Sequence, residues 1–346
     1  MKKKLFIVSN ESIYINDNKF YCDNLDLKST PEGLSKNFEI NLFGRNSNKK
    51  RVHEIKVKRI KLFNNIFSYI LSTIRSMKNK DNIYLVISIT PYTFIISLLI
   101  KLLGQKPIVY LRSDGYGEYN AILGKIGTFI YHLMFSIISY ISDFISCRNY
   151  ILRGKKGELV YPSQLDSTWL RKPKNLKIKK AKLLYVGRIR KEKGIFSLAE
   201  LIKNKKNISL TVVGAEKNTS YKINQSNIKI LPIENTKSKL IKYYDEHDIF
   251  VLPSYTEGYP MVLLESLARR RPVIIFNEIN HVIENREGIF SSKRNYINFF
   301  DTIQNIKKDI KQIQKNMKKN KLATNKEFID DLTKKILLYK KKNENV

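Results

Sequence analysis

The sequence predicts an α/β fold in two domains, each built around a parallel sheet. Three observations carry this. Short apolar strands alternate with helical stretches along most of the chain, the pattern of α/β units. A length of 346 residues suits two domains of ordinary size better than one. Composition shifts abruptly at Gln164–Lys182, QLDSTWLRKPKNLKIKKAK, which is polar, strongly basic and carries a proline. The expected organisation is a first domain at residues 1–165, a basic linker at 166–182, a second domain at 183–322 and a final helix within 323–346. That helix is a candidate to pack back on the first domain.

In the first domain LFIVSN, FEINLFG, IYLVISI and PIVYLRS read as strands. The stretch VKRIKLFNNIFSYILSTIRSM between them has helical periodicity with basic residues outward. Uncharged Ile83–Ile100 is about long enough to cross a membrane. Thr90-Pro91 argues instead for a buried strand, a turn and a buried helix, because proline suits a helix start and kinks a helix interior. Ile126–Cys147 is interrupted by His132 and Asp143 and reads as a core or interfacial helix. ISDFISCR and ELVYPS close the domain. The second domain runs through the strands KLLYVG, ISLTVVGAE, IKILPIE, DIFVLPS and PVIIF, then turns helical from Tyr296. Its tail is Lys-rich from Lys307 to Lys321, and the last helix sets Ile329, Leu332, Ile336 and Leu337 on one stripe.

Hydrophobic residues make up 42% of the chain, enough for substantial cores, and 64 Lys+Arg stand against 31 Asp+Glu, a formal +33. Such a field attracts nucleic acid, anionic lipid or phosphorylated ligands. General enrichment in Lys, Asn and Ile supplies much of the excess, so charge alone selects no function. Cys22 and Cys147 form neither a metal-ligand spacing nor a disulfide framework, which suits a reducing compartment. The opening MKKKLFIVSNESIY has only a short apolar run, so no signal peptide is expected there.

Two segments of the second domain carry candidate chemistry. In EGYPMVLLE, Glu257 follows a strand and precedes Gly258, Pro260 suits the first turn of a helix, and the free amides at that helix start form an anion site. Glu265 falls between Leu264 and Leu267, where water is scarce and a carboxylate needs partners. A ligand hydroxyl pair satisfies it, and so does a plain helix salt bridge to Arg269 at i+4. Upstream, in LLYVGRIRKEKG, a strand ends at Gly187 and Arg188, with Lys193 and Gly194 following. Glycine permits close backbone approach, and two cations at a strand's C-terminal edge suit a diphosphate. Taken singly each cation is weak evidence in so basic a chain; the two segments in order are stronger.

Together VGRIRKEKG, DIFVLPSYTEGYPMVLLESLA and RPVIIF resemble the nucleotide-sugar domain of the retaining glycosyltransferases of family GT4, the group 1 glycosyltransferases, over about Lys182–Ile289. The resemblance implies the GT-B fold, two Rossmann-like doubly wound domains facing a central cleft. It implies that Gly187, Arg188 and Lys193 bind the donor diphosphate, that Glu257 acts at the donor sugar and that Glu265 holds the ribose. Gly258, Tyr259, Pro260, Met261 and Val262 complete the donor contacts. The chain departs from the family at Arg270, where a glycine is usual, and in SNESIYINDNKFYCDN, which lacks a glycine-rich loop. The first domain is expected to bind the acceptor, and in YLRSDGYGEY Asp114 is the candidate to orient or deprotonate its hydroxyl, or else simply a turn residue.

The histidines show no zinc spacing and no Asp-x-Asp pair occurs, so no cofactor and no metal are expected. The expected activity is a hexosyl transfer from a UDP- or GDP-sugar to a saccharide or lipid-linked saccharide, at the cytoplasmic face of the plasma membrane, with peripheral contact to anionic lipid. No nucleic acid is expected as partner. The rival readings are a basic nucleic-acid-binding protein, a GT-B sugar-nucleotide epimerase and an inactive scaffold of the same fold.

Overall fold

The computed structural model describes residues 2–216, 221, 223 and 225–344. The chain divides into two compact units, Met1–Pro162 with Asn325–Val346, and Ser163–Thr324.

The first unit opens with a long strand, β1 (Lys4–Asn16), and β2 (Lys19–Cys22). Asp17 and Asn18, both at positive φ (48° and 57°), make the two-residue turn between them, a conformation that Asp and Asn tolerate. Where a glycine-rich loop is usual, this chain therefore carries a β-hairpin. Helix α1 (Leu25–Leu34), β3 (Glu39–Asn46), β4 (His53–Ile55) and β5 (Arg59–Phe63) follow. Next come α2 (Ile66–Ser76), β6 (Ile83–Ile87), α3 (Pro91–Leu102), β7 (Ile108–Leu111), α4 (Gly115–Ile141), β8 (Asp143–Ser146) and β9 (Glu158–Leu159). The parallel sheet has the order β5-β3-β1-β6-β7-β8-β9, with β2 and β4 added antiparallel at one end of β1.

Thr90 caps α3 through a reciprocal box with Thr93, and Pro91 takes the first helical turn, so Ile83–Ile100 is a buried strand followed by a helix. The helical reading of Val57–Met77 needs correction. Its first part is strand β5, because Ile60 and Leu62 alternate with basic residues at period two, and only the part from Ile66 is helix.

The second unit begins with α5 (Ser167–Leu170) and β10 (Ala181–Val186), then α6 (Ile195–Leu201), β11 (Ile208–Ala215) and β12 (Ile228–Pro232). It continues with α7 (Lys237–Glu246), β13 (Ile249–Leu252), α8 (Met261–Ala268), β14 (Val273–Phe276), β15 (Ile289–Ser292) and α9 (Tyr296–Met317). Its sheet is wholly parallel, in the order β12-β11-β10-β13-β14-β15. Chain direction across the sheet reverses between β10 and β13, the switch point at which doubly wound sheets bind ligands.

The stretch 166–182, expected as a linker, belongs to the body of this unit. Its apolar anchors Trp169, Leu176 and Ile178 are buried. Two buried arginines hold its backbone: Arg269 donates to the carbonyls of Trp169 (2.9 Å) and Arg171 (2.7 Å), and Arg271 to that of Lys174 (3.0 Å). Composition exposed the lysines of this stretch but not the carbonyls that the arginines need.

The final helix, α10 (Asn325–Glu344), packs into the first unit's core, where Ile329, Leu332 and Ile336 meet Leu27, Leu34 and the sheet. Leu337, expected on the same stripe, is exposed, and Phe328 and Tyr339 take the inward positions instead.

Candidate active site

The two segments singled out in the sequence meet at the C-terminal edges of β10 and β13. After β10 the chain turns at Gly187 (φ 153°), and the Tyr185 hydroxyl donates to the Arg188 carbonyl at 2.7 Å. The Arg188 side chain is exposed and, among the described residues, makes no hydrogen bond or ion pair. Gly194 closes the turn at φ 65°, and a Cβ there would sit 1.8 Å from the Pro253 carbonyl oxygen. Glycine is thus required twice at Gly194, for its dihedral and for the approach of the two loops. The Tyr255 amide completes the seam by donating to the Glu192 carbonyl at 3.0 Å.

Across this seam Lys193 and Glu257, 64 positions apart, form an ion pair with Nζ 2.7 Å from Oε1. The same carboxylate oxygen accepts from the Ser254 hydroxyl at 2.6 Å. Both partners are largely shielded from water. His281, from the 3-10 turn after β14, places Nε2 2.7 Å from the Glu257 carbonyl oxygen. Glu257 is therefore fixed at its side chain and its backbone.

Arg294 braces this loop from behind. Its guanidinium lies between the rings of Tyr255 (4.1 Å) and Phe276 (4.2 Å) and donates to the Pro253 carbonyl (2.9 Å) and the Ser197 hydroxyl (2.8 Å). An ion pair with Glu278 at 2.8 Å completes its surroundings. Sequence gave no sign of Arg294, His281 or Ser254 as a group. They come from three different elements, and each alone is an ordinary polar residue.

Pro260 caps α8 rather than starting its first turn, one position from expectation. Gly258, Tyr259, Met261 and Val262 are half-buried around that helix start. Tyr259 lies under Arg286, 5.7 Å from ring centroid to guanidinium.

Glu265 is buried, and burial pushes its carboxyl from the ordinary 4.5 up to about 7. The salt bridge to Arg269 is absent. Arg269 turns away and forks onto Asp245, with contacts of 2.9 and 2.7 Å. Glu265 instead meets the Tyr244 hydroxyl at 2.8 Å, which leaves a buried acid with a single neutral donor. Arg270, the departure from the family's usual glycine, sits just past α8 at φ 50°. A left-handed residue commonly ends a helix there, so the position favours glycine for a backbone reason.

Asp114 lies in the first unit. It caps α4 by accepting from the Tyr116 amide at 3.2 Å and pairs with Arg153 at 3.3 Å. Among the described residues no group of three His, Cys, Asp or Glu side chains is arranged to hold a metal. Cys22 and Cys147 are buried free thiols, both pushed up to about 12 by burial.

Residues 166–324 match the family described as glycosyl transferases group 1. A putative teichuronic acid biosynthesis glycosyltransferase, TuaC of Bacillus subtilis, is 38% identical over 106 residues, 30% of this chain. A capsular polysaccharide biosynthesis glycosyltransferase, CapM of Staphylococcus aureus, is 30% identical over 139 residues, 36% of this chain. The matched stretch spans 27% of TuaC and 36% of CapM, well under their full lengths.

Among solved structures, the lipopolysaccharide-biosynthesis glycosyltransferase WaaG superposes with a TM-score of 0.63 at 12% identity, covering 96% of this chain and 99% of its own. Anabaena HepE, solved with UDP, gives 0.63 at 9% identity, covering 99% and 98%. At such identities the likeness concerns the fold, which is GT-B. The match to the glycosyl transferases group 1 family thus covers nearly the whole length of the second unit, Ser163–Thr324.

Proposed function

We propose that this chain is a retaining GT4 glycosyltransferase, a hexosyltransferase that moves a sugar from a UDP- or GDP-sugar to a saccharide or lipid-linked saccharide. Its setting is assembly of a cell-surface polysaccharide such as capsule, O-antigen or lipopolysaccharide, at the cytoplasmic face of the membrane. The supporting observation is the Lys193–Glu257 pair, with Arg188 exposed beside it, at the switch point of a doubly wound sheet. The names of TuaC and CapM point to the same class of pathway. Retention rests on the sequence resemblance.

In this reading Arg188 and Lys193 take the donor diphosphate. As the glycosidic bond breaks, negative charge grows on the departing diphosphate, and the two cations stabilise it without a metal ion. Glu257, held by Ser254 and His281, contacts the donor sugar. Lys193 has three donors, so it can serve the carboxylate and a phosphate oxygen together. Glu265 receives the ribose hydroxyls, and the backbone from Gly258 to Val262 lines the sugar and nucleotide. Asp114 is assigned to the acceptor.

A transfer assay with UDP- and GDP-sugars tests the proposal. Glu257→Ala and Arg188→Ala are each expected to lower turnover about 100-fold, the scale of removing one preorganised charge-stabilising group. Two variants that fold normally and keep full transfer activity would sink it.

A further inference from the structure

In the first unit α2 carries the chain from β5 across β3 and β1 to β6, α3 from β6 to β7 and α4 from β7 to β8. All three crossovers run in one direction along the parallel sheet, and right-handedness places the three helices on one face. α2 touches α3 and α3 touches α4, so they form one layer with a common outer side. That outer side is apolar on every helix. Phe67 on α2 is 75% exposed, Leu102 on α3 83%, and Tyr140 near the end of α4 79%. Along α4 the exposed positions Ile126, Phe129, Leu133 and Ile137 recur at helical spacing, while Tyr131, Met134, Phe135 and Ile138 face the core.

α4 is long and apolar enough to cross a membrane, but its geometry is wrong for crossing. Gly124, at φ 62° and ψ −148°, breaks it in two. The two arms lie against each other. A Cβ on Gly127 would meet the Tyr119 carbonyl oxygen at 2.2 Å, and the Tyr116 hydroxyl reaches His132 Nδ1 at 2.9 Å. The break forms a tip, Ala121–Ile126, in which every residue is exposed, with Ile122 at 75% and Ile126 at 71%.

Charge selects the occupant of this face. α2 and α3 contain no acidic residue, and α4 contains only Glu118, whereas Arg75, Lys101 and Lys125 are exposed among the apolar side chains. A second copy would bring the same positive face against it, on a chain of formal charge +33. An anionic bilayer offers both terms at once, apolar depth for the tip and phosphate charge for the cations.

We infer that the outer face of α2, α3 and α4, led by the tip at Gly124, docks on the surface of an anionic lipid bilayer. The inference does not depend on the glycosyl-transfer reading, since it rests on the first unit alone. Sedimentation of the full chain with vesicles tests it. One set is equimolar phosphatidylglycerol and phosphatidylcholine, the other pure phosphatidylcholine. The expected result is at least tenfold stronger partition into the anionic vesicles, and a further tenfold loss in Ile122→Asp/Ile126→Asp at an unchanged thermal midpoint. Should that variant lose stability, Phe67→Asp/Leu102→Asp on the neighbouring helices is expected to weaken partition severalfold with the fold intact. Three outcomes overturn the inference. The folded variants bind as the parent does; or the parent stays in solution with both vesicles; or light scattering shows a dimer that the variants dissolve while vesicle binding is unchanged.

Discussion

Glu265 shows how far one residue can be read. Sequence placed it in apolar surroundings and left two explanations open, a helix salt bridge or a ligand. The structure removes the first, because Arg269 is committed to Asp245 and to the carbonyls of Trp169 and Arg171. No local rule foretells this, since Asp245 reaches Arg269 from another helix. The buried carboxyl ionises near 7 in the fold and near 4.5 in the unfolded chain. Between those values the unfolded chain releases its proton first, so stability contributed by the neutral acid is full below pH 4.5 and is lost as pH rises to about 7. The loss is on the order of 3 kcal/mol. Thermal midpoints of the parent are expected to fall from pH 5 to 8 by more than those of Glu265→Gln. Parallel curves for the two proteins would show that this acid is not the buried, strained group described here.

Elements were more legible than their ends. The Thr90-Pro91 start of α3, the strands before Gly187 and Ser254, and the helical final segment all follow from period and capping. β2, β4 and β15 have no readable signal in the sequence, because strands of three or four residues carry too little pattern to stand out. The kink in α4 was equally hidden, since a lone glycine inside an apolar run is usually tolerated. At the start of that helix Asp114 has two separable duties. Asn caps a helix as well as Asp does, whereas Ala forfeits about 1 kcal/mol. If Asp114 also serves the acceptor through its charge, Asp114→Asn should keep the thermal midpoint and lose turnover, while Asp114→Ala loses both. Full turnover in Asp114→Asn would confine the residue to capping and its pair with Arg153.

For the whole molecule, the division of the chain into two α/β units came through, but the border did not. A basic, proline-containing segment has the composition of a linker, yet buried Trp169, Leu176 and Ile178 anchor it in the second unit, and Arg269 and Arg271 hold its carbonyls. The site was legible where two short motifs sit at the ends of neighbouring strands, and illegible where support comes from distant elements, as with Arg294 and His281. The excess positive charge, ambiguous as composition, acquires local meaning at Arg188 and on the α2–α4 face. The central claim is that the edge between β10 and β13 holds a nucleotide diphosphate through Arg188 and Lys193. Calorimetric titration of UDP and GDP into the parent and Arg188→Ala tests it most directly, because this exposed arginine can be removed without disturbing the fold. The expected result is binding of at least one nucleotide by the parent, weakened about tenfold or more in the variant, as for loss of a charge-assisted contact. Binding of equal strength in both proteins, or of neither nucleotide by the parent, would contradict it.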